Sequence, residues 1–417
     1  MFRNTITTTL LILLSFMAFG QVDELSPPEY ISTVQFRGQS NQGQLPIIRL
    51  GEQLRLSFDA LNGREEDFYY TITHYNFDWT PSDLSKSEYL NGFDEVRIEN
   101  YENSLNTLQI FSNYQLRIPN RETRGVTKSG NYLISITNDD GDPIFSRKFM
   151  VTETIATVGV EIKRSRDLKY IREKQVVHFT INSPSTLLIN PKQNIKTLVL
   201  QNSNLHSSIT NLKPQYTIGT ELIYRYDKEA AFWGGNEYLA FDNKDVRSAN
   251  NNIRRVELND IYENFLYTDI NRNERPYTYN PDINGNFVVR NLYAQKNSIE
   301  AEYVRLHFNL QYYEEIGDKE IHLYGNFNNY TIDGTTYMAY NNNTDTYQAS
   351  RLFKQGFYNY KYVLVDRDGS IDETALEGSF WETENEYTVL AYYRAPGARY
   401  DRIIGKGSAN ATNITNN

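Results

Sequence analysis

Alternation is the feature that most constrains what this chain can fold into. In AEYVRLHFNLQYY (301–313), Glu302, Val304, Leu306, Phe308, Leu310 and Tyr312 share one side of a period-two pattern. A repeat of two sends successive side chains to opposite faces of a strand, so the segment reads as a strand with one face in a core. The same period returns in Leu54, Leu56 and Phe58, in Tyr132, Ile134 and Ile136, and in Val177, Phe179 and Ile181. No segment demands a helix longer than two turns. The chain is 14% aromatic, with 33 Tyr among 417 residues, and such side chains suit a pleated, half-buried surface. The predicted fold class is all-β, built as tandem immunoglobulin-like β-sandwich domains.

Turn signals divide the pattern. An N-terminal β-sandwich is predicted over 21–154. It holds the Asn62-Gly63 turn, the aromatic strand FYYTITHYNFDW (68–79), and a closing strand with Phe145, Phe149 and Val151 after the turn at 139–142. A middle β-sandwich with long loops is predicted over 155–299, and a third sandwich over 300–405. The tail 406–417, KGSANATNITNN, has no apolar periodicity and is predicted to be disordered.

The first twenty residues, MFRNTITTTLLILLSFMAFG, combine a basic start, a short apolar run and small residues before Gln21. That is the pattern of a secretory signal peptide cleaved after Gly20. Its apolar run is about ten residues, short of the roughly 20 that a spanning helix needs. An exported chain with no Cys has no disulfides to support it, so its domain cores must suffice. Formal net charge is −10, which argues against nucleic acid as a partner. No later run is long enough for a membrane span.

Catalytic and metal-binding signals are weak throughout. The five histidines, His74, His178, His206, His307 and His322, show no pairing at metal-ligand spacing. DRDGSID (366–372) alternates aspartates as a calcium loop does. Its glycine stands fourth where such a loop needs it sixth, so a hairpin turn is the reading preferred. Glu65-Glu66 and Glu314-Glu315 sit at turns. No catalytic residue, cofactor or metal site is therefore predicted.

Two resemblances add to this reading. Residues 321–366, with GNFN and then GFYNYKYVLVD, resemble the glycogen-binding modules of starch-active enzymes. Those bind sugar on exposed aromatic platforms, and Tyr330 stands where a Trp would be expected. An envelope carbohydrate-binding protein is thus the alternative function. Four blocks in order cover nearly the whole chain beyond the leader: the opening stretch, HYNFDWTPSDLSKSEYLNGF (74–93), WGGNEY (233–238) and LFKQGFYNYKY (352–362). In these the chain resembles the plug protein of the Bacteroidetes type IX secretion translocon. The resemblance implies a non-enzymatic periplasmic protein at the inner side of the outer membrane. It implies a chain that binds and closes the mouth of a giant outer-membrane β-barrel and is monomeric when free.

Tyr, Trp and Arg are the residue types that carry most of the energy of protein interfaces. The candidate interface residues are accordingly Trp79, Tyr330, Tyr358, Trp381, Arg394, Arg399, Tyr400 and Arg402. The C-terminal stretch also admits a core reading, with Trp381, Tyr387 and Tyr393 inside and the arginines capping the last turn. Both readings stand at the level of sequence.

Overall fold

The computed structural model describes residues 22–39 and 43–414. The signal-peptide expectation for 1–20 lies outside the described residues. Among the described residues the regular structure is nearly all β, with three four-residue α-helices and two short 3-10 turns.

The N-terminal domain packs two sheets face to face. One runs Ile31–Gly38, Leu54–Ala60, Ser112–Ile118 and Tyr101–Asn103, and the other contains Tyr69–Tyr75, Gly130–Thr137 and Pro143–Thr152. Leu54, Leu56 and Phe58 meet Tyr132, Ile134, Phe145 and Phe149 in one aromatic core. Phe58 stacks on Tyr114 with ring centroids 5.3 Å apart and meets the edge of Phe145 at 5.1 Å. The alternating register is the one expected, and it holds also for Tyr303–Gln311. There Val304, Leu306, Phe308 and Leu310 all enter the C-terminal core.

The structure cuts the rest of the chain differently from the boundaries at 299 and 405. The C-terminal core already includes Phe241, Val246, Ile253 and Leu266, so this domain begins just after WGGNEY. The middle core draws in Tyr387, Val389, Ala391, Tyr393 and Ile404 beside Val177, Phe179 and Ile181. The middle domain is therefore discontinuous. Its first part is followed by the whole C-terminal domain, and the chain then returns as Glu386–Tyr393 and Arg402–Asn410 to complete it. Alternation marks a buried face without saying which core that face enters.

The predicted disordered tail is corrected over its described part, and 415–417 lie outside the described residues. Lys406 to Asn410 lie inside the strand Arg402–Asn410, paired along Glu386–Tyr393. Its small residues serve backbone approach. A Cβ at Gly407 would stand 2.2 Å from the Val158 carbonyl oxygen, and one at Gly405 2.5 Å from that of Ala156. Glycine lets two backbones close to that separation, and no apolar side chain is needed to signal it.

The returning strands also join two domains. One nine-stranded sheet runs from Asn204–Thr210 through Ile195–Gln201, Glu386–Tyr393 and Arg402–Asn410, then into Pro143–Thr152 and the N-terminal strands. The junction is a parallel bridge between Thr152 and Ile403. An apolar cluster covers it, with Trp79, Leu133 and Met150 from one side and Leu198, Leu200, Leu390 and Tyr392 from the other.

Charge completes the joint. Arg394 grips buried Asp401 in a fork, Nε to Oδ1 at 3.1 Å and Nη2 to Oδ2 at 2.9 Å, and Nη2 donates to Asn76 Oδ1 at 2.6 Å. Asp401 accepts further from the Phe77 N–H at 3.1 Å and from Lys196 Nζ at 3.2 Å. Arg394→Ala should lower stability by about 2 kcal/mol, because hydrogen bonds to charged groups contribute about 1.5–3 kcal/mol. Arg399, exposed and paired with Glu88, should lose under about 1 kcal/mol as alanine. Urea unfolding of the two variants checks the contrast. Equal losses would show that Arg394 acts as an ordinary surface cation.

Candidate functional site

The eight residues singled out in the sequence do not form one surface. Trp79 lies in the interdomain cluster with Lys148 Nζ 4.6 Å above its ring, and Tyr358 is in the C-terminal core. Tyr330 is 3% exposed and packs on Tyr324 at 5.0 Å, so it offers no platform for a sugar. That removes the residue on which the carbohydrate-binding alternative rested. The arginines are taken up internally: Arg394 by Asp401, Arg399 by Glu88 and Arg402 by Glu153 at 2.5 Å. Tyr400 is half-buried and meets the edge of the His74 ring at 5.4 Å. These groups fasten the last strands to the N-terminal domain, so the aromatic and guanidinium character of 377–405 is largely a clamp. Of the eight, Trp381 alone joins an open aromatic surface.

That surface lies where the middle and C-terminal domains meet. The block WGG crosses beneath residues 378–383, and glycine is required there, since a Cβ on Gly234 would stand 1.9 Å from the Phe380 carbonyl oxygen. The Gly234 N–H donates to the Glu173 carbonyl at 2.8 Å, and the Phe380 N–H to that of Gly235 at 2.8 Å. Buried Gln175 ties both segments down. Its Nε2 donates to the Trp381 and Thr383 carbonyls, each at 2.7 Å, and its Oε1 accepts from Tyr387 Oη at 2.7 Å. Asn385 Nδ2 donates to the Gly234 carbonyl at 2.8 Å. Trp233 and Trp381 are thereby held along one shallow depression of about 730 Å³, with Tyr277, Phe380, Arg164 and Arg172 in its walls.

Each aromatic ring there has a cation or ring beside it. Trp233 is 42% exposed, carries Lys174 Nζ 4.1 Å over its face and meets Tyr170 edge-on at 5.4 Å. Arg164 stacks over Trp381 at 4.6 Å, held by a bond from its Nε to the Ile171 carbonyl at 2.5 Å. Rings and guanidinium groups fixed before contact need little further ordering on binding. Sequence reasoning missed Trp233, Arg164 and Arg172. The signal available was the Trp-Gly-Gly run, in which two glycines after an aromatic mark a close crossing.

Beneath the surface lies a polar seam. Arg272 pairs with Glu377 at 2.5 Å and donates to the Glu237 carbonyl at 2.8 Å. Burial raises the Glu237 carboxyl, which accepts from Tyr277 Oη at 2.5 Å. Asp269 and Asp282 are both pushed up to about 6, chiefly by burial. Among the described residues no His, Cys, Asp and Glu group has the geometry to hold a metal ion. The turns at 138–142 and 366–370 close through backbone hydrogen bonds, Asn138 N–H to the Asp142 carbonyl at 3.0 Å and Asp366 N–H to that of Ser370 at 2.9 Å.

Several β-sheets are locked together here, with a preorganised aromatic and cationic face at a domain seam. Residues 31–153 match the family described as the type 9 secretion system plug protein, 1st domain. Over those residues the chain carries the first domain of the type 9 secretion system plug protein, which supports a plug role in that system. The crystal structure of a hypothetical protein from Parabacteroides merdae is similar over the whole fold. It is 31% identical with a TM-score of 0.88, covering 93% of this chain and 98% of that one. A D1–D4 ectodomain fragment of ICAM-5 aligns at 8% identity and a TM-score of 0.16, too low to bear on the fold. No curated protein matches the chain.

Proposed function

We propose that this chain binds and closes the periplasmic mouth of the giant outer-membrane β-barrel through which type IX secretion exports its cargo. A pore wide enough for folded cargo leaks when idle, and a stopper must resist bending to seal it. The observation that carries this reading is the fastening of the domains into one body. One sheet runs through two of them, and a buried ion pair between Asp59 and Lys354 ties the third to the first. On this reading the protein acts sterically, without catalysis or cofactor, from the inner side of the outer membrane, and is a monomer when free. The Trp233–Trp381 face is the proposed contact with the barrel.

Deleting the chain should make cells several-fold more sensitive to vancomycin, an antibiotic too large for an intact outer membrane, while secretion continues. Deleting the barrel as well should restore resistance. Unchanged sensitivity in the single deletion would rule out the plug. At the proposed contact, Trp233→Ala with Arg172→Glu should cut barrel co-purification at least tenfold with little change in melting temperature. Interface tryptophans and arginines commonly contribute 2 kcal/mol or more, and about 1.4 kcal/mol is already tenfold. Normal co-purification by the folded double variant would move docking to another face.

A further inference from the structure

A cavity of about 350 Å³ lies where residues 26–34 of the N-terminal domain face the strand Thr346–Lys354 of the C-terminal domain. Its volume falls within the range of small-molecule sites. Phe287, Phe327 and Phe353 form one apolar wall, and Arg147 and Arg351 line the same space.

These two guanidinium groups are poorly answered. Arg147 is 6% exposed, and its Nη1 donates to the Ser146 carbonyl at 2.8 Å. Arg351 donates to Thr335 Oγ1 and lies 5.5 Å over the Phe327 ring. Among the described residues, no carboxylate oxygen stands within 4.0 Å of either group. Burial lowers the pKa of both, and the charges of Glu24 beside Arg147 and Asp333 beside Arg351 only partly oppose it. Arg147 is buried without a partner anion, which is costly, and partly exposed Arg351 adds a second cation without a paired carboxylate to the same space.

The charge balance sets the ligand. Lys354, also in the lining, is already neutralised by Asp59 at 2.6 Å. Counting the lining alone, Arg147, Arg305 and Arg351 oppose Glu29 and Asp333, and 3 − 2 leaves one positive charge; Glu24, beside Arg147, lies outside that lining. We propose that this cavity binds a monoanionic organic carboxylate, its head between Arg147 and Arg351 and its apolar body along Phe287, Phe327 and Phe353. Guanidinium forks suit the two oxygens of a carboxylate, and the aromatic wall rewards a body that inorganic phosphate lacks. Nothing in this recognition requires docking to a translocon.

Calorimetry on the full chain with phenylacetate, phenylacetamide and inorganic phosphate tests the assignment. Phenylacetate should bind at least tenfold more tightly than either of the others and raise the melting temperature. Arg351→Gln should weaken it at least tenfold, and Arg351→Lys, which keeps the charge, should weaken it less. An acetylated dipeptide ending in a free Phe carboxylate separates the sources. Tighter binding than phenylacetate assigns the site to a peptide terminus, and weaker binding assigns it to a free acid. Equal binding of the amide or of phosphate, or full affinity in a folded Arg351→Gln protein, would overturn the proposal.

Discussion

Lys354→Ala should lower the stability of the folded chain by about 3–5 kcal/mol, the usual cost of leaving one member of a buried ion pair alone. Lys354 and Asp59 are 2% and 1% exposed, with Nζ 2.6 Å from Oδ2. Asp59 also accepts from Tyr303 Oη at 2.6 Å and from Asn113 Nδ2 at 2.7 Å, and Lys354 Nζ donates to the Ser298 carbonyl at 2.6 Å. Without the ammonium group, a carboxylate remains in a buried seam with two neutral donors. Asp59→Asn combined with Lys354→Ala removes both charges and should recover much of the loss, since no unpaired charge then stays buried. Urea unfolding of the two singles and the double measures the coupling. Losses below about 1 kcal/mol in both singles would mean that water reaches the pair.

Acid should weaken the N-terminal domain through His74. Its Nε2 faces the Ser129 carbonyl at 3.1 Å, its Nδ1 faces Ser82 Oγ at 2.8 Å, and Tyr89, Tyr132 and Tyr400 surround the ring. Burial pushes its pKa down to about 4, more than the Ser129 carbonyl and the Asp401 charge offset. The unfolded chain, with an ordinary histidine pKa near 6.5, binds the proton first as pH falls. Stability from this group is therefore full above about 6.5 and declines towards pH 4, by up to about 3 kcal/mol. Asp269 and Asp282, pushed up to about 6, act in the opposite sense: their contribution is present at low pH and lost as pH rises through 6. The difference between the native protein and His74→Gln isolates the histidine. The native advantage at pH 7 should shrink by up to about 3 kcal/mol at pH 4. A difference constant with pH would show that the imidazole titrates normally.

Strands and their faces were legible from the chain alone. Period two assigns Leu54, Leu56 and Phe58, and again Val304, Leu306, Phe308 and Leu310, to cores they do enter. The pleat itself determines which side of a strand is apolar, and that is local information. The aromatic ending was legible as chemistry and ambiguous as place. Tyr387 and Tyr393 enter the middle core, while Arg394 pairs with nearby Asp401 and Arg402 reaches Glu153 on a distant segment.

Glu153 stands 249 residues before Arg402, and Asn76 stands 318 before Arg394, so no local pattern announces either meeting. The same holds for the Trp233–Trp381 face. Trp233 and Trp381 belong to strands and turns of ordinary appearance, and they come together because the backbone at Gly234 passes under Phe380. By itself the sequence determined an all-β chain, its alternating faces and the blocks that mark its family. The tertiary structure alone decided which strands share a core and which cations are spent inside. Burial and ion pairing depend on separation in space, and a strand's alternation carries no information about its partner.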